Sequence, residues 1–342
     1  MCMASRYTRL LVVGGFVVAL LACGGSAGPG DAPGSSAAEP LSAGQRQLVG
    51  TWSLASIERR SADDELLAAP LEDRLGYLIY DASGYMGVTI MRPDRVPYSE
   101  AGPTADEALA QFGSYTSYFG PFTVDDVEGA VTHHVEASLD PRGAGSEYRR
   151  FYTLVEDRLT LQPPAGADGS KTLVTWVRQP DLPQSEVTDT HTALFGAYRI
   201  DSVARHTTDG FPVEIDQYET GYIFYAPSGH MSVHLVRPGR SAFAGDSPTA
   251  DEALRLTETY GSYFGPFSVR EMAGCITCPG PRDQGYLTHH LTGSTNPRGT
   301  GTDARRYYEL TDTDLTLRPP VGTDDEGREV VTAIRWERLL RR

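Results

Sequence analysis

Gly76-Tyr77-Leu78-Ile79-Tyr80 returns later in the same chain as Gly221-Tyr222-Ile223-Phe224-Tyr225. Pro103-Thr104-Ala105-Asp106-Glu107-Ala108-Leu109 is repeated letter for letter from Pro248 to Leu254. Tyr118-Phe119-Gly120-Pro121-Phe122 comes back as Tyr263 to Phe267. The offset is constant, since 221−76, 248−103 and 263−118 all give 145. Thr132-His133-His134 then matches Thr288-His289-His290, and Arg149-Arg150-Phe151-Tyr152 matches Arg305-Arg306-Tyr307-Tyr308, both at an offset of 156. Copy two therefore carries an insertion of 11 residues (156−145) between Phe267 and Thr288. A period of this length is a whole domain, too long for a solenoid unit. The chain reads as two homologous domains in tandem.

Composition and turn signals place both copies among all-β folds. Trp52–Ser56, Tyr77–Tyr80, Tyr85–Met91, Val131–Ser138, Tyr148–Val155, Arg158–Leu161 and Leu173–Arg178 have strand composition, separated by Gly, Pro, Asp or Asn clusters. Asp81-Ala82-Ser83-Gly84 and its counterpart Ala226-Pro227-Ser228-Gly229 read as hairpin turns. One short helix per copy begins at a capping box, Thr104 to Glu107 and Thr249 to Glu252. Leu109, Phe112 and Tyr115 continue it at helical spacing, and it should stop before Gly120-Pro121. Short strands plus one helix in about 135 residues suggest an antiparallel barrel, with a two-sheet sandwich as the alternative.

The N-terminus reads as an export signal over residues 1–22, with basic Arg6 and Arg9 ahead of an apolar stretch from Leu10 to Leu21. It ends in Leu20-Leu21-Ala22-Cys23, which resembles a bacterial lipobox, so Cys23 is the expected lipidation site. A Gly/Ser/Ala/Pro-rich tether follows, to residue 45. The expected location is the bacterial cell envelope, with the lipid on the outer side of the cytoplasmic membrane or at the outer membrane. Without residues 1–22 the charge is 28−45, or −17, with Lys171 the single lysine. That excludes nucleic acid and anionic headgroups as natural partners, and leaves the membrane to the lipid anchor alone. Cys275 and Cys278 lie in the insertion, where an exported protein more often forms a small-loop disulfide than a redox or zinc site. Copy one has the His pair without the cysteines, so no metal and no cofactor is expected.

With these motifs in hand, each copy resembles the lipocalin-like domain of bacterial and fungal proteins. The shared pattern is Gly50-Thr51-Trp52, Gly76 to Tyr80, Gly84-Tyr85-Met86, Tyr118 to Phe122, Thr132-His133-His134 and Arg150-Phe151. The resemblance covers residues 46–178 and 192–342, joined by a Pro-punctuated linker at 179–191, and implies a ligand-holding barrel without naming the ligand. It also implies that Arg178 packs over Trp52; copy two departs with Tyr198 in place of the tryptophan.

Strand parity divides the motif residues between interior and surface. Val131, His133, Val135, Ala137 and Leu139 share an apolar face, so His133 and His289 should point inward, and His134 and His290 outward. Arg150, Tyr152, Arg306 and Tyr308 share the inward face of a second strand, and Arg92 and Arg237 end a third at the rim. With Tyr80 and Tyr225 these form the candidate ligand-binding set. An interior guanidinium needs a counter-charge or several acceptors, and no acidic residue shared by both copies falls on the inward faces. The expectation is an envelope protein, monomeric, holding a small apolar or amphipathic, possibly anionic molecule in its barrels. Two alternatives stand beside it. One is an isomerase or cyclase using His133 and His289; serine-hydrolase, zinc-protease, P-loop and dinucleotide motifs are absent. The other is a structural or interaction lipoprotein with filled barrels.

Overall fold

A computed structural model describes residues 40–100, 102–272 and 278–341. The expected signal, Cys23, most of the tether and Cys275 lie outside the described residues; Cys278 is disulfide-bonded.

In the first repeat the strands are β1 (Gly50–Arg60), β2 (Leu75–Tyr80), β3 (Tyr85–Met91), β4 (Tyr115–Asp125), β5 (Ala130–His134), β6 (Ala137–Ser138), β7 (Glu147–Val155), β8 (Arg158–Gln162) and β9 (Lys171–Arg178). All pair antiparallel in the order β3-β2-β1-β9-β8-β7-β5-β4, and β3 pairs with β4 to close an eight-stranded barrel; β6 adds a short bridge to β4. The second repeat contains β10 (Gly196–Thr207), β11 (Pro212–Val213), β12 (Thr220–Tyr225), β13 (His230–Val236), β14 (Tyr260–Glu271), β15 (Gly285–His290), β16 (Gly293–Ser294), β17 (Asp303–Leu310), β18 (Asp314–Arg318), β19 (Gly322–Thr323) and β20 (Glu329–Arg338). It closes in the same way through β10 and β20. Closure leaves only the two-residue strands β6, β11, β16 and β19 paired on one side, which removes most of the edge-pairing hazard of an open sheet. The result is two tandem lipocalin-like antiparallel barrels, as the repeat and its motifs imply.

Helices α1 (Ala43–Leu48), α2 (Ala105–Phe112), α3 (Asp189–Leu194) and α4 (Ala250–Glu258) decorate the barrel ends. The capping boxes at Thr104/Glu107 and Thr249/Glu252 are formed. Two more start α1 and α3, at Ser42/Gln45 and Thr188/His191, inside stretches read as tether and linker.

The helix spacing breaks down at Tyr115. It opens β4, a strand of 11 residues that runs through Gly120-Pro121. Proline is tolerated there because the strand changes partner at that point. Tyr115 to Pro121 pair with β3, and Phe122 to Asp125 pair with β5. Gly120 is required by a close approach: a Cβ would fall 2.0 Å from the His134 carbonyl oxygen, and at Gly265 it would fall 1.8 Å from that of His290. Gly84 and Gly229 turn their hairpins at φ 89° and 74°.

Each barrel has its own interior cluster. In the first, Trp52, Leu78, Tyr80, Met86, Val88, Phe122, Val131 and Trp176 pack together. At its base Trp52 Nε1 donates to the Leu48 carbonyl (2.8 Å), and Arg178 stacks 4.0 Å over the indole while donating to Val49 O (2.8 Å). The stacking contributes about 1 kcal/mol. Tyr198 repeats the device in the second barrel: its hydroxyl donates to Leu194 O (2.8 Å), and Arg338 lies 4.6 Å over its ring. The departure from tryptophan thus keeps the base closed by the same kind of bond.

A third cluster joins the repeats. Ile79, Met91, Tyr115, Phe119, Ala137 and Leu139 pack against Ala197, Tyr222, Phe224, Val236, Tyr260 and Phe264. Val135 to Leu139 was read as one continuous inward face with His133. The strand instead breaks after His134, and Ala137 and Leu139 belong to this inter-repeat core. The contacts are reciprocal. Tyr115 bonds Ser262 (3.3 Å) and Tyr260 bonds Ser117 (2.8 Å). Arg95 donates to the Ser294 and Thr295 carbonyls, and Arg240 to those of Ser138 and Leu139. Helices α2 and α4 pack on each other. Such mutual pairing is the signature of a two-fold, isologous interface, here formed within one chain.

Candidate functional site

His133 stands on β5, 1% exposed, between Tyr118 of the adjacent β4 and Tyr80, which reaches across the barrel interior from β2. Its Nε2 lies 2.6 Å from the Tyr80 hydroxyl and its Nδ1 2.9 Å from that of Tyr118. Arg150, on β7, donates to the Tyr118 hydroxyl and to its own neighbour's carbonyl, Arg149 O (3.0 Å). Each ring nitrogen faces one phenol, so in the neutral imidazole one nitrogen donates to its tyrosine and the other accepts from its own. The second barrel repeats it: Tyr225 to His289 Nε2 (2.8 Å), Tyr263 to His289 Nδ1 (3.1 Å), and Arg306 beside Tyr263.

Burial, reinforced by the Arg150 charge, holds the His133 imidazole down to about 3, and the same causes push His289 well below its ordinary value. Burial also drives Tyr118 up to about 12, against a lowering pull from Arg150, and raises Tyr80, Tyr225 and Tyr263. At pH 7 each histidine is a neutral hydrogen-bond relay with both nitrogens engaged. A base of such low proton affinity is a poor match to proton transfer near neutrality.

The other expected residues divide. His134 and His290 face outward, bonded to Thr123 (2.9 Å) and Ser268 (3.1 Å). Tyr152 is inward but lies toward the base, near Asp126, and Tyr308 likewise lies near Thr190 of α3. Neither joins the His–Tyr–Arg cluster. Arg92 turns to the surface and pairs with Asp94 (2.9 Å), because a carboxylate two residues on gives it a solvated partner. Arg237 lies 5.0 Å over the Tyr218 ring. Tyr118 and Tyr263 escaped the sequence reading because their strand was taken for helix and turn. Their repetition in both copies was the available signal.

A cavity of about 610 Å3 opens where Tyr118 and Arg150 reach the end of the first barrel. Leu109 and Phe112 of α2 form one wall and Tyr148 another. The second repeat supplies a third, through Phe243 and the 246–248 turn. Phe112 and Phe243 meet edge to face at 5.9 Å, and Arg142 stacks on Phe243 at 3.8 Å. Phe112 therefore lines a rim rather than plugging a barrel. The pseudo-symmetric position in the second repeat has a cavity of about 140 Å3, lined by Tyr98, Pro103, Thr257, Glu258, Thr295 and Asn296. By the offsets of the repeat, Thr257 replaces Phe112, Glu258 replaces Gly113 and Ala304 replaces Tyr148.

Several solved structures resemble the chain at low similarity. One is a protein of unknown function from the DUF3598 family of Nostoc punctiforme, 13% identical, covering 86% of this chain and 97% of that one at a TM-score of 0.21. Transferrin binding protein B from Haemophilus parasuis, in a mutant form, is 6% identical over 79% of this chain and 54% of that one, TM-score 0.17. The isotype 1 protein of the same name from serogroup B Neisseria meningitidis is 9% identical over 79% and 53%, TM-score 0.14. At such TM-scores the likeness carries no argument. No curated protein matches the chain. The family model of the lipocalin-like domain matches twice, at residues 49–179 and 195–339, on the two closed barrels. The chain belongs to the lipocalin-like domain family and carries two copies of that domain in tandem.

Proposed function

We propose that the protein is an envelope-anchored binding protein that holds a small, partly apolar ligand at the open end of its first barrel. The observation that carries this reading is the cavity of about 610 Å3, with aromatic and aliphatic walls and the Arg150 guanidinium at its inner end. Its size falls within the roughly 300–1,000 Å3 of small-molecule sites, and Leu109, Phe112, Leu139 and Phe243 share its lining with Ser, Thr, Asp and Arg side chains. The family's barrel fold supports ligand binding at the same coarse level. The mouth is favoured over the lumen because Tyr118 and Arg150 reach the cavity, while the interior clusters hold large aromatic side chains. The neutral, doubly bonded histidines favour binding over the isomerase alternative.

The anchor rests on Leu20 to Cys23 and the tether behind it. Palmitate labelling of the protein in a bacterial host, lost in Cys23→Ser, tests it; labelling that survives the substitution sinks it. For the site, a panel of medium-chain alcohols, esters and acids is titrated by calorimetry against the wild type and Phe112→Asp/Phe243→Asp. The double variant should lose whatever the wild type binds. Unaltered binding in a folded double variant would place the ligand elsewhere.

A further inference from the structure

We infer that the occupant of this mouth is an amphipathic monocarboxylate, one per chain, with its carboxylate on the Arg150 guanidinium and its apolar body against Leu109, Phe112 and Phe243. The inference rests on the first mouth being the binding site.

Arg150 is half-buried at the inner end of the cavity. Among the described residues it has one backbone acceptor, Arg149 O, and the Tyr118 oxygen, and no ion pair engages it. The remaining guanidinium N–H groups have no acceptor there, and a planar fork of donors fits a carboxylate in two bonds. The other charges facing the cavity are committed or peripheral. Asp140 is paired with Arg142 at 2.7 Å. Arg142 is further held by the Gly245 and Asp246 carbonyls and by the Phe243 ring. Asp246 lines the outer turn. Arg150 is thus the one cation at the cavity without a carboxylate partner among the described residues. The relay behind it is neutral, so it adds orientation without adding charge. A single guanidinium, placed 5.1 Å over the Tyr148 ring and without a carboxylate partner, selects a monoanion, and the Leu109, Phe112 and Phe243 side of the cavity selects a hydrocarbon or aromatic body over a bare inorganic anion.

The second mouth opposes both terms. Its cavity is about 140 Å3, Thr257 stands where Phe112 forms the wall, and the Glu258 carboxylate repels an anion.

The test uses 4-phenylbutyrate and its methyl ester as probes on the full chain, by calorimetry for affinity and native mass spectrometry for stoichiometry. The acid should bind once per chain and about tenfold or more tighter than the ester. Arg150→Gln should bring the acid down to about the ester's affinity, with a circular dichroism spectrum and cooperative thermal melt reporting that the variant is folded. Equal affinity of acid and ester, both lost in Phe112→Asp, would overturn the carboxylate while leaving the mouth as the site. Two equivalents of acid per chain would overturn the single occupancy. Failure of acid and ester alike to bind would remove the mouth itself.

Discussion

The two barrel mouths began as one template and now differ where a ligand would touch them. Behind each lies the same relay, an arginine, two tyrosines and a neutral histidine, with matching distances. In front, the first mouth has Phe112, Tyr148 and Gly113 where the second has Thr257, Ala304 and Glu258. What persists in both copies includes the relay inside each barrel and the capped start of α2 and α4. What differs is the surface facing solvent and a guest. On the proposed reading, the positions where the repeats disagree, Phe112/Thr257, Gly113/Glu258 and Tyr148/Ala304, set one mouth apart from the other.

The largest expected effect tests the shared part. His133, His289 and His234, which is buried and bonds Ser117 of the first repeat (3.0 Å), all have depressed pKa values, to about 3 for His133 and His234, with burial as the leading cause. The unfolded chain therefore takes up protons first as pH falls. The stability that depends on neutral histidine is fully present above pH about 6.5 and is lost progressively toward pH about 3. Asp81 acts in the opposite sense: burial raises its carboxyl, so its contribution is present at low pH and lost as pH rises. The three histidines should outweigh it, at about 1.4 kcal/mol per pH unit each. Urea midpoints should fall by several kcal/mol equivalent between pH 6.5 and 4.5. His133→Leu and His289→Leu should each flatten that slope to the same degree. A slope that responds to only one of them would mean that the relays are not equivalent.

Exchanging the rims comes next. Phe112→Thr/Tyr148→Ala makes the first mouth resemble the second. Losing two aromatic contacts of about 1.5 kcal/mol each should weaken a probe acid roughly a hundredfold. The same change should cost only about 1–2 kcal/mol of stability, since Phe112 is partly buried against the inter-repeat core and neither side chain is in a barrel interior. A large drop in Tm with retained binding would invert the assignment of rim and core.

Much of this architecture is legible in the chain before any coordinates. The offset of 145 fixes two domains, alternation on β5 separates His133 from His134, and the capping boxes place α2 and α4. Three things were hidden, for physical reasons. β4 passes through Gly120-Pro121, and a Gly-Pro pair reads as a breaker unless the change of strand partner is known. Strands β2 to β4 and β12 to β14 are apolar on both faces, because one face fills a barrel and the other the inter-repeat core; alternation cannot tell these two burials apart. The rim was missed because a site built from both repeats has no contiguous motif: Phe243 joins Phe112 and Arg150 only through the two-fold packing.

That packing yields a smaller, symmetric prediction. Arg95 and Arg240 each cap two carbonyls of the opposite repeat. Arg95→Ala and Arg240→Ala should each cost about 2 kcal/mol, since buried acceptors lose charged donors. Denaturant melts should give equal values within about 0.5 kcal/mol if the interface is two-fold in energy as it is in geometry. Unequal losses would show that divergence has reached the interface as well as the mouths.

The smallest effect separates Arg92 from Arg150, two arginines that strand parity placed together. Arg92 is exposed and its partner Asp94 lies two residues away, so the pair is solvated whether or not the barrel is intact. Exposed pairs of this kind are worth about 0–1 kcal/mol and weaken further with salt. Arg92→Ala should therefore shift the denaturation midpoint by less than about 0.5 kcal/mol equivalent and leave probe affinity unchanged. Arg150→Gln should alter affinity for the acid probe. A loss of binding in Arg92→Ala would require Arg92 to abandon Asp94 and swing into the mouth when a ligand arrives. The rim would then close on its guest, and the first barrel would differ from the second in motion as well as in shape.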